Sequence, residues 1–280
     1  MFKQDLAAVF GQPVAENPTQ PMMEAAFRAM GLGWRYLTVE VAPSGLRDAV
    51  RGAVAMGFKG FNCTLPHKVA VVPLLDELTP AARAIGAVNC VAIRDGRLLG
   101  ENTDGKGFLE SVRAVGEVEG KSAVMLGAGG AARAIGVELL LAGLGKLTVV
   151  NRGEARGREL LAVLEKAAPG KSSFVPWKGD FNVPAGTDLV INATSVGLFP
   201  DGEARLPLDA GTLARGMVVC DVIPNPPRTR LVRDAEAAGC TVLDGLGMLV
   251  NQGVIGVRLW SGRDPDPAAM RAALLEVFGG

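Results

Sequence analysis

Lys68 and Asp104 are residue types that could move a proton to or from an alcohol, an ammonium and a carboxylate acting as an ionised pair. Lys68 closes the run Phe61-Asn62-Cys63-Thr64-Leu65-Pro66-His67-Lys68, which leaves a strand and meets a proline that permits a helix start. Asp104 lies in Gly100-Glu101-Asn102-Thr103-Asp104-Gly105, whose flanking glycines predict a tight, exposed loop presenting polar side chains. A third polar strand end is Gly86-Ala87-Val88-Asn89-Cys90. Polar groups at strand ends line the ligand crevices of α/β sheets. Taken singly, each of these residues reads better as a surface ion pair or a cap, and spacing does not bring residues 68 and 104 together; only a fold does. His67 is the single histidine of the chain and the obvious lure for a general base. Its place beside Pro66 suits a plain helix N-terminus. Without clustered thiol or acidic ligands around it, no metal is expected.

A second chemistry is phosphate binding. The run 122–126 followed by Gly127-Ala128-Gly129-Gly130-Ala131-Ala132 reads as strand, glycine turn and helix in the pattern GxGxxA. Gly127 serves the tight turn, Gly129 the close approach of a pyrophosphate, and Ala132 the helix–strand packing. The helix N-terminus beyond offers unpaired N–H groups to phosphate. A lone glycine motif can be a simple turn; the strand before and the helix after it argue for a nucleotide. The next strand ends in Val149-Val150-Asn151-Arg152, with Arg156 about one helical turn on. The carboxylate that would bond the ribose hydroxyls of NAD is missing, and two guanidinium groups stand in its place. Arg pairs with phosphate by charge-assisted, two-point hydrogen bonds, which favours NADP.

These residues need elements to hold them. Short β-like runs at 7–10, 34–41, 60–63 and 88–93 alternate with helical patterns at 21–30 and 44–56. A second series runs through strands at 122–126, 147–150, 189–192, 218–221 and 241–243, helices at 130–142 and 154–167, and closing helices at 248–260 and 267–278. Alternation of this kind predicts an α/β protein with parallel sheets, in two domains: an N-terminal one to about residue 104 and a Rossmann-type nucleotide domain over 105–244. The 280 residues suit that partition. Hydrophobic residues at 49% against 21% charged argue for a folded core, and the balance of 29 basic and 29 acidic residues argues against nucleic acid or an anionic membrane as partner. The four cysteines are scattered without a CxxC pair, predicting free thiols in a reducing compartment. With no signal-like segment and no apolar run near the ~18 residues of a membrane span, a cytoplasmic location is expected.

The ordered motifs GQP at 11–13, NCTLPHK at 62–68, GAVN at 86–89, ENTDG at 101–105, GAGGAA at 127–132, NR…R at 151–156, NATSVGL at 192–198 and DGLGMLVNQ at 244–252 resemble the shikimate dehydrogenase family over nearly the full chain. The resemblance implies reversible reduction of a cyclic 3-ketone, 3-dehydroshikimate to shikimate, by hydride transfer from NADP's reduced form, with Lys68 and Asp104 as the catalytic pair. It implies that Thr64, Asn89 and Gln252 bond the ring hydroxyls. Gly127, Ala128, Gly129, Gly130, Ala131 and Ala132 would hold the pyrophosphate, and Asn151, Arg152 and Arg156 the 2′-phosphate. Thr194, Gly245 and Met248 would line the ribose–nicotinamide end. It also returns the C-terminal helices to the first domain, giving a substrate-binding domain of 1–104 plus 245–280. The implied partner is a small cyclic hydroxy acid, and the chain is expected to be a monomer or homodimer.

The chain departs from the family in two places on one side of the substrate. Where the family carries S-x-S-P, whose serines grip the substrate carboxylate, this chain has Asn17-Pro18-Thr19-Gln20, preceded by Glu16. Asn17, Thr19 and Gln20 can donate hydrogen bonds, but with different reach. Pro224 stands where a tyrosine is common, and Gly153 where a threonine usually follows NR. The expectation is retained hydride chemistry with shikimate as first substrate, and quinate or another shikimate-like cyclitol as the alternative. A methylene-tetrahydrofolate dehydrogenase-like enzyme and an inactive NADP-binding regulator are weaker readings. The ordered motifs count against the former, and the retained Lys68 and Asp104 against the latter.

Overall fold

The structure, a computed structural model, describes residues 2–279. It divides into two compact units, one running to Thr103 and resuming at Val250, the other spanning Asp104–Leu249. The sequence placed these boundaries at 104/105 and 244/245. The second lies later because the first turn of the penultimate helix packs on the nucleotide unit. A Cβ at Gly245 would stand 2.2 Å from the Ile223 carbonyl oxygen, and one at Gly247 3.1 Å from Ser111 Oγ.

In the first unit the chain runs β1 (Asp5–Gly11), α1 (Thr19–Ala29), β2 (Trp34–Glu40), α2 (Leu46–Ala55), β3 (Gly60–Cys63), α3 (His67–Ala70), β4 (Glu77–Leu78), α4 (Pro80–Ile85), β5 (Cys90–Arg94) and β6 (Arg97–Glu101). The six strands form one sheet in the order β2-β1-β3-β5-β6-β4. It is mixed rather than wholly parallel: β3 pairs with β5, and β5 with β6, antiparallel. The physical reason is the two-residue turn Asp95-Gly96, both at positive φ (51° and 76°), which reverses the chain into a hairpin with no room for a crossover. Phe10, Phe61, Val50, Val71 and Val91 are among the buried side chains of its core.

The second unit follows as α5 (Thr103–Arg113), β7 (Ser122–Leu126), α6 (Gly130–Leu141), β8 (Lys146–Asn151), α7 (Glu154–Ala167), β9 (Ser172–Pro176), β10 (Leu189–Asn192), β11 (Val218–Asp221), α8 (Arg230–Ala237) and β12 (Thr241–Leu243). Its six strands are all parallel, in the order β12-β11-β10-β7-β8-β9. Strand order reverses between β7 and β10, and the carboxyl ends on either side of such a switch point are where open α/β sheets bind ligands. The central strands are buried on both faces, as a parallel sheet covered by helices requires.

The chain closes with α9 (Gly245–Ser261) and α10 (Pro267–Phe278). From Val250 onward these belong to the first unit. The Trp260 indole N–H donates to the Val91 carbonyl at 3.0 Å, and Met270 and Leu274 of α10 are fully buried. Gly253 lets three helices meet: the Met22 and Met270 Cε atoms lie 2.7 and 2.8 Å from where its Cβ would be.

Candidate active site

The antiparallel pairs of the first unit gather its motifs at one sheet edge. Because β5 runs against β3, Asn62 pairs with Cys90, and Asn89 lies just before β5 at the end where β3 leaves the sheet. Because β6 runs against β5, Cys90 pairs with Glu101, which brings the 101–103 segment to the same edge. Backbone bonds close the cluster: Cys63 N–H to Asn89 O (2.9 Å), Val88 N–H to Lys68 O (2.8 Å) and Asn89 N–H to Glu101 O (3.2 Å). Gly11 belongs to it too, since any Cβ there would collide with Thr64 Cγ2 at 2.3 Å.

A buried polar network runs through this edge. The Tyr36 hydroxyl donates to Asn62 Oδ1 (2.6 Å), and Asn62 Nδ2 to the Asn89 carbonyl (2.9 Å). Asn89 Oδ1 accepts the Thr103 backbone N–H (2.7 Å), Asn89 Nδ2 donates to Thr103 Oγ1 (3.0 Å), and Thr103 Oγ1 donates to Gln252 Oε1 (3.4 Å). Asn89 and Gln252 therefore share Thr103 between them, and the residue before Asp104 is pinned at its backbone. The 101–104 segment is not the exposed loop that its glycines suggest. Glu101, Asn102 and Thr103 are buried, and the strand passes into α5 at Thr103. Gly105 is there for packing, its Cβ position lying 2.3 Å from the Ala134 carbonyl oxygen on α6.

Lys68, Thr64 and Asp104 are half-buried. His67 is fully buried, and its Nε2 lies 2.7 Å from the Val41 carbonyl, an acceptor only, so Nε2 carries the proton. That bond pins α3, which carries Lys68, and His67 has no route to substrate. Burial pushes the Cys63 thiol up to about 12 against the opposing pull of the Lys68 charge, so it remains protonated and unreactive.

At the altered end, Asn17 Oδ1 accepts the Thr19 backbone N–H at 3.0 Å and is spent on the start of α1. Gln20 Oε1 accepts from Thr38 Oγ1 at 2.9 Å. The Asn17 and Gln20 amide N–H groups and the Thr19 hydroxyl remain for a ligand, while Glu16 is exposed.

The second unit holds a groove of about 770 Å³ at the carboxyl ends of β7, β8 and β10. Gly127 has φ +111° and no room for a Cβ beside the Ala193 carbonyl at 2.7 Å. Gly129 caps α6 with nothing within 4 Å of its missing Cβ, the open cradle a pyrophosphate needs. Gly127, Ala128, Gly129, Asn151, Arg152, Arg156 and Thr194 all line the groove. Gly130, Ala131 and Ala132 form the first turn of α6 behind it, and Ala132 is fully buried. Gly245 and Met248 are not among its lining residues. Arg152 and Arg156 are exposed and join no ion pair among the described residues, as cations kept for an external phosphate would be. The Thr194 loop is set by buried Asn192, whose Oδ1 accepts the Thr194 hydroxyl (2.7 Å) while its Nδ2 donates to Asp221 (3.0 Å). Burial raises the Asp221 carboxyl above its ordinary value, opposed by hydrogen bonds from Thr229, Ile223 and Asn192.

The residues thus fit a dinucleotide. Sequence reasoning missed Tyr36, Thr103, Asp221, Trp177 and Arg205. Thr103 stood inside a recognised motif, whereas Trp177 and Arg205 come from an edge strand and a distant loop with no local signal.

A glycine-looped parallel sheet with free arginines at its second strand end, joined to a unit that collects a lysine and buried amides at one edge, defines a two-domain, dinucleotide-dependent oxidoreductase. Residues 9–91 match the family model for the shikimate dehydrogenase substrate binding domain, and residues 245–275 that for the shikimate 5′-dehydrogenase C-terminal domain. The shikimate dehydrogenase (NADP(+)) of Citrifermentans bemidjiense is 44% identical over 277 residues, covering 97% of this chain and 95% of the relative. This chain belongs to the shikimate dehydrogenase family. Among solved structures, the ligand-free 5-ketofructose reductase of Gluconobacter sp. strain CHM43 is 52% identical with a TM-score of 0.96, covering 99% of this chain and 100% of that one. The shikimate 5-dehydrogenase of Thermus thermophilus in complex with NADP(H) and shikimate is 36% identical with a TM-score of 0.85, over 98% and 99% of the two chains.

Proposed function

We propose that this chain is an NADP-dependent dehydrogenase that reversibly reduces the ring ketone of 3-dehydroshikimate to the secondary alcohol of shikimate. The observation that carries this reading is the Asn89–Thr103–Gln252 network, which holds two hydroxyl-recognising side chains, Asn89 and Gln252, and the backbone leading into Asp104 in one buried arrangement. When bound, NADPH supplies the hydride. Lys68 and Asp104 orient the carbonyl oxygen, and the Lys68 ammonium gives up the proton that the oxygen takes as the C=O bond becomes C–O–H. In the oxidative direction the same pair holds the hydroxyl and accepts its proton. Thr64, Asn89 and Gln252 bond the other ring hydroxyls, and Asn151, Arg152 and Arg156 hold the 2′-phosphate. Thr194 lines the groove, and Gly245 and Met248, which lie outside its lining, are assigned to the nicotinamide end by the family resemblance alone.

A second reading, the same chemistry on an uncharged polyhydroxy ketone, is favoured by one observation: Asn17 Oδ1 is committed to the Thr19 N–H, where the family resemblance calls for two serine hydroxyls on a carboxylate. The 52% identical relative that reduces 5-ketofructose supports it. NADP⁺ reduction measured with shikimate, quinate and fructose separates the two. Turnover confined to shikimate upholds the first reading, turnover confined to fructose the second, and NADP⁺ reduction with none of them removes both.

A further inference from the structure

Three residues that no family motif covers also line the cofactor groove: Trp177, Pro207 and Arg205. Trp177 follows β9, and its backbone N–H donates to the carbonyl of Asn151, the end of β8, at 3.0 Å. Its indole N–H donates to the Pro207 carbonyl at 2.8 Å, so both ring and backbone are fixed beside the Asn151–Arg156 end of the groove. Arg205 is held by Asp180 through two parallel bonds, Nη1 to Oδ2 at 3.0 Å and Nη2 to Oδ1 at 2.7 Å. The Arg205 bond is the main reason the Asp180 carboxyl sits below its ordinary value.

This pairing separates Arg205 from the other two arginines of the groove. Among the described residues Arg152 and Arg156 have no carboxylate partner, and they present net positive charge. Arg205 is neutralised by Asp180, so it adds little for a phosphate. What a two-point ion pair preserves is the orientation of the guanidinium plane, and a fixed guanidinium plane stacks on an aromatic ring. Resting on the NADP reading above, we propose that Arg205, oriented by Asp180 and backed by Trp177 and Pro207, is the platform for the adenine ring, while Arg152 and Arg156 serve the 2′-phosphate. Arg205 is then a base-binding residue and Asp180 a positioning residue.

The two roles predict different cofactor signatures, readable by calorimetric titration of the intact protein with NADPH and NADH. Arg205→Ala should weaken both cofactors alike, by about three- to tenfold, because both carry adenine. Arg152→Ala should weaken NADPH by about tenfold or more and leave NADH unchanged. Asp180→Ala should loosen the platform yet unmask the Arg205 charge, so NADH weakens while NADPH is partly compensated and the NADPH-over-NADH preference rises; Asp180→Glu should restore the wild-type ratio. A merely structural Asp180 would not move that ratio. Loss confined to NADPH in Arg205→Ala would make Arg205 a phosphate ligand and overturn the proposal, as would unchanged affinity for both. A wild-type protein that binds neither cofactor would overturn the NADP reading itself, and the platform with it.

Discussion

Asn89 shows how much one side chain does here. Both ends of its amide hydrogen-bond Thr103, so the residue in front of Asp104 is held, and Gln252 is drawn to the same hydroxyl. Lys68 is fixed differently, its carbonyl tied to Val88 and its helix pinned through His67 to Val41. On the proposed roles, these pinned neighbours would serve to orient the two half-buried ionic groups. Lys68→Met should therefore lower kcat by about a hundredfold or more while leaving the NADPH dissociation constant unchanged, since the loss is of proton transfer and not of cofactor binding. Single-turnover kinetics with a separate titration check this. The altered end offers a gain instead: Asn17→Ser with Thr19→Ser should raise kcat/KM for shikimate relative to fructose by about tenfold, because new hydroxyls pair with a carboxylate and leave no mismatched amide. Competition between the two substrates reads the ratio. At this scale the sequence spoke through its motifs: Gly127 and Arg152 belong to motifs that announce the groove they line. Trp177 and Arg205 do not, since only the β8–β9 pairing and the Asp180 bond bring them to the groove.

At the scale of elements, most of the second unit was legible because a buried parallel strand is a short apolar run bounded by turn residues. Strands 122–126, 189–192 and 218–221 coincide with β7, β10 and β11. The first unit was legible in part. β5 overlaps the run read at 88–93, but β6 hid because Arg97 and its half-buried residues break the apolar run, and α5 hid because two glycines interrupt it. One of those is a packing device. Gly105→Ala would drive a methyl toward the Ala134 carbonyl oxygen at 2.3 Å, and should destabilise the protein by ~1–3 kcal/mol, measured by urea unfolding. Asp188 joins the starts of β7 and β10. It accepts the Ser122 N–H at 2.8 Å and pairs with Lys121 at 3.1 Å, and the Ser122 bond first of all holds its carboxyl below the usual 3.8. A depressed folded value favours the fold at pH above 3.8 and loses that contribution as pH falls through the folded value. Asp188→Asn should thus be less stable than wild type at pH 7, with the gap closing in strong acid; a gap independent of pH would remove Asp188 from this role.

At the scale of the molecule, the two units differ in how the chain builds them. The nucleotide unit is one continuous stretch, Asp104–Leu249, with every groove residue inside it. The substrate unit is assembled from both ends of the chain, and its late helices are not decoration. Met22, Met23, Met270 and Leu274 are all fully buried in it, with Met22 and Met270 converging on Gly253. Removing α10 would uncover the Met22–Phe27 face of α1 and forfeit two buried anchors at about 2–5 kcal/mol each, a large part of the ~5–15 kcal/mol that holds a domain folded. The same truncation removes no residue of the second unit. A chain ending at residue 266 should therefore lose substrate turnover and unfold its first unit at a much lower temperature, while a second calorimetric transition persists and still shifts upward with NADPH. If both transitions collapsed together, the nucleotide unit would depend on the C-terminal helix for its stability. If neither moved, α10 would contribute nothing to the substrate unit, against the complete burial of Met270 and Leu274.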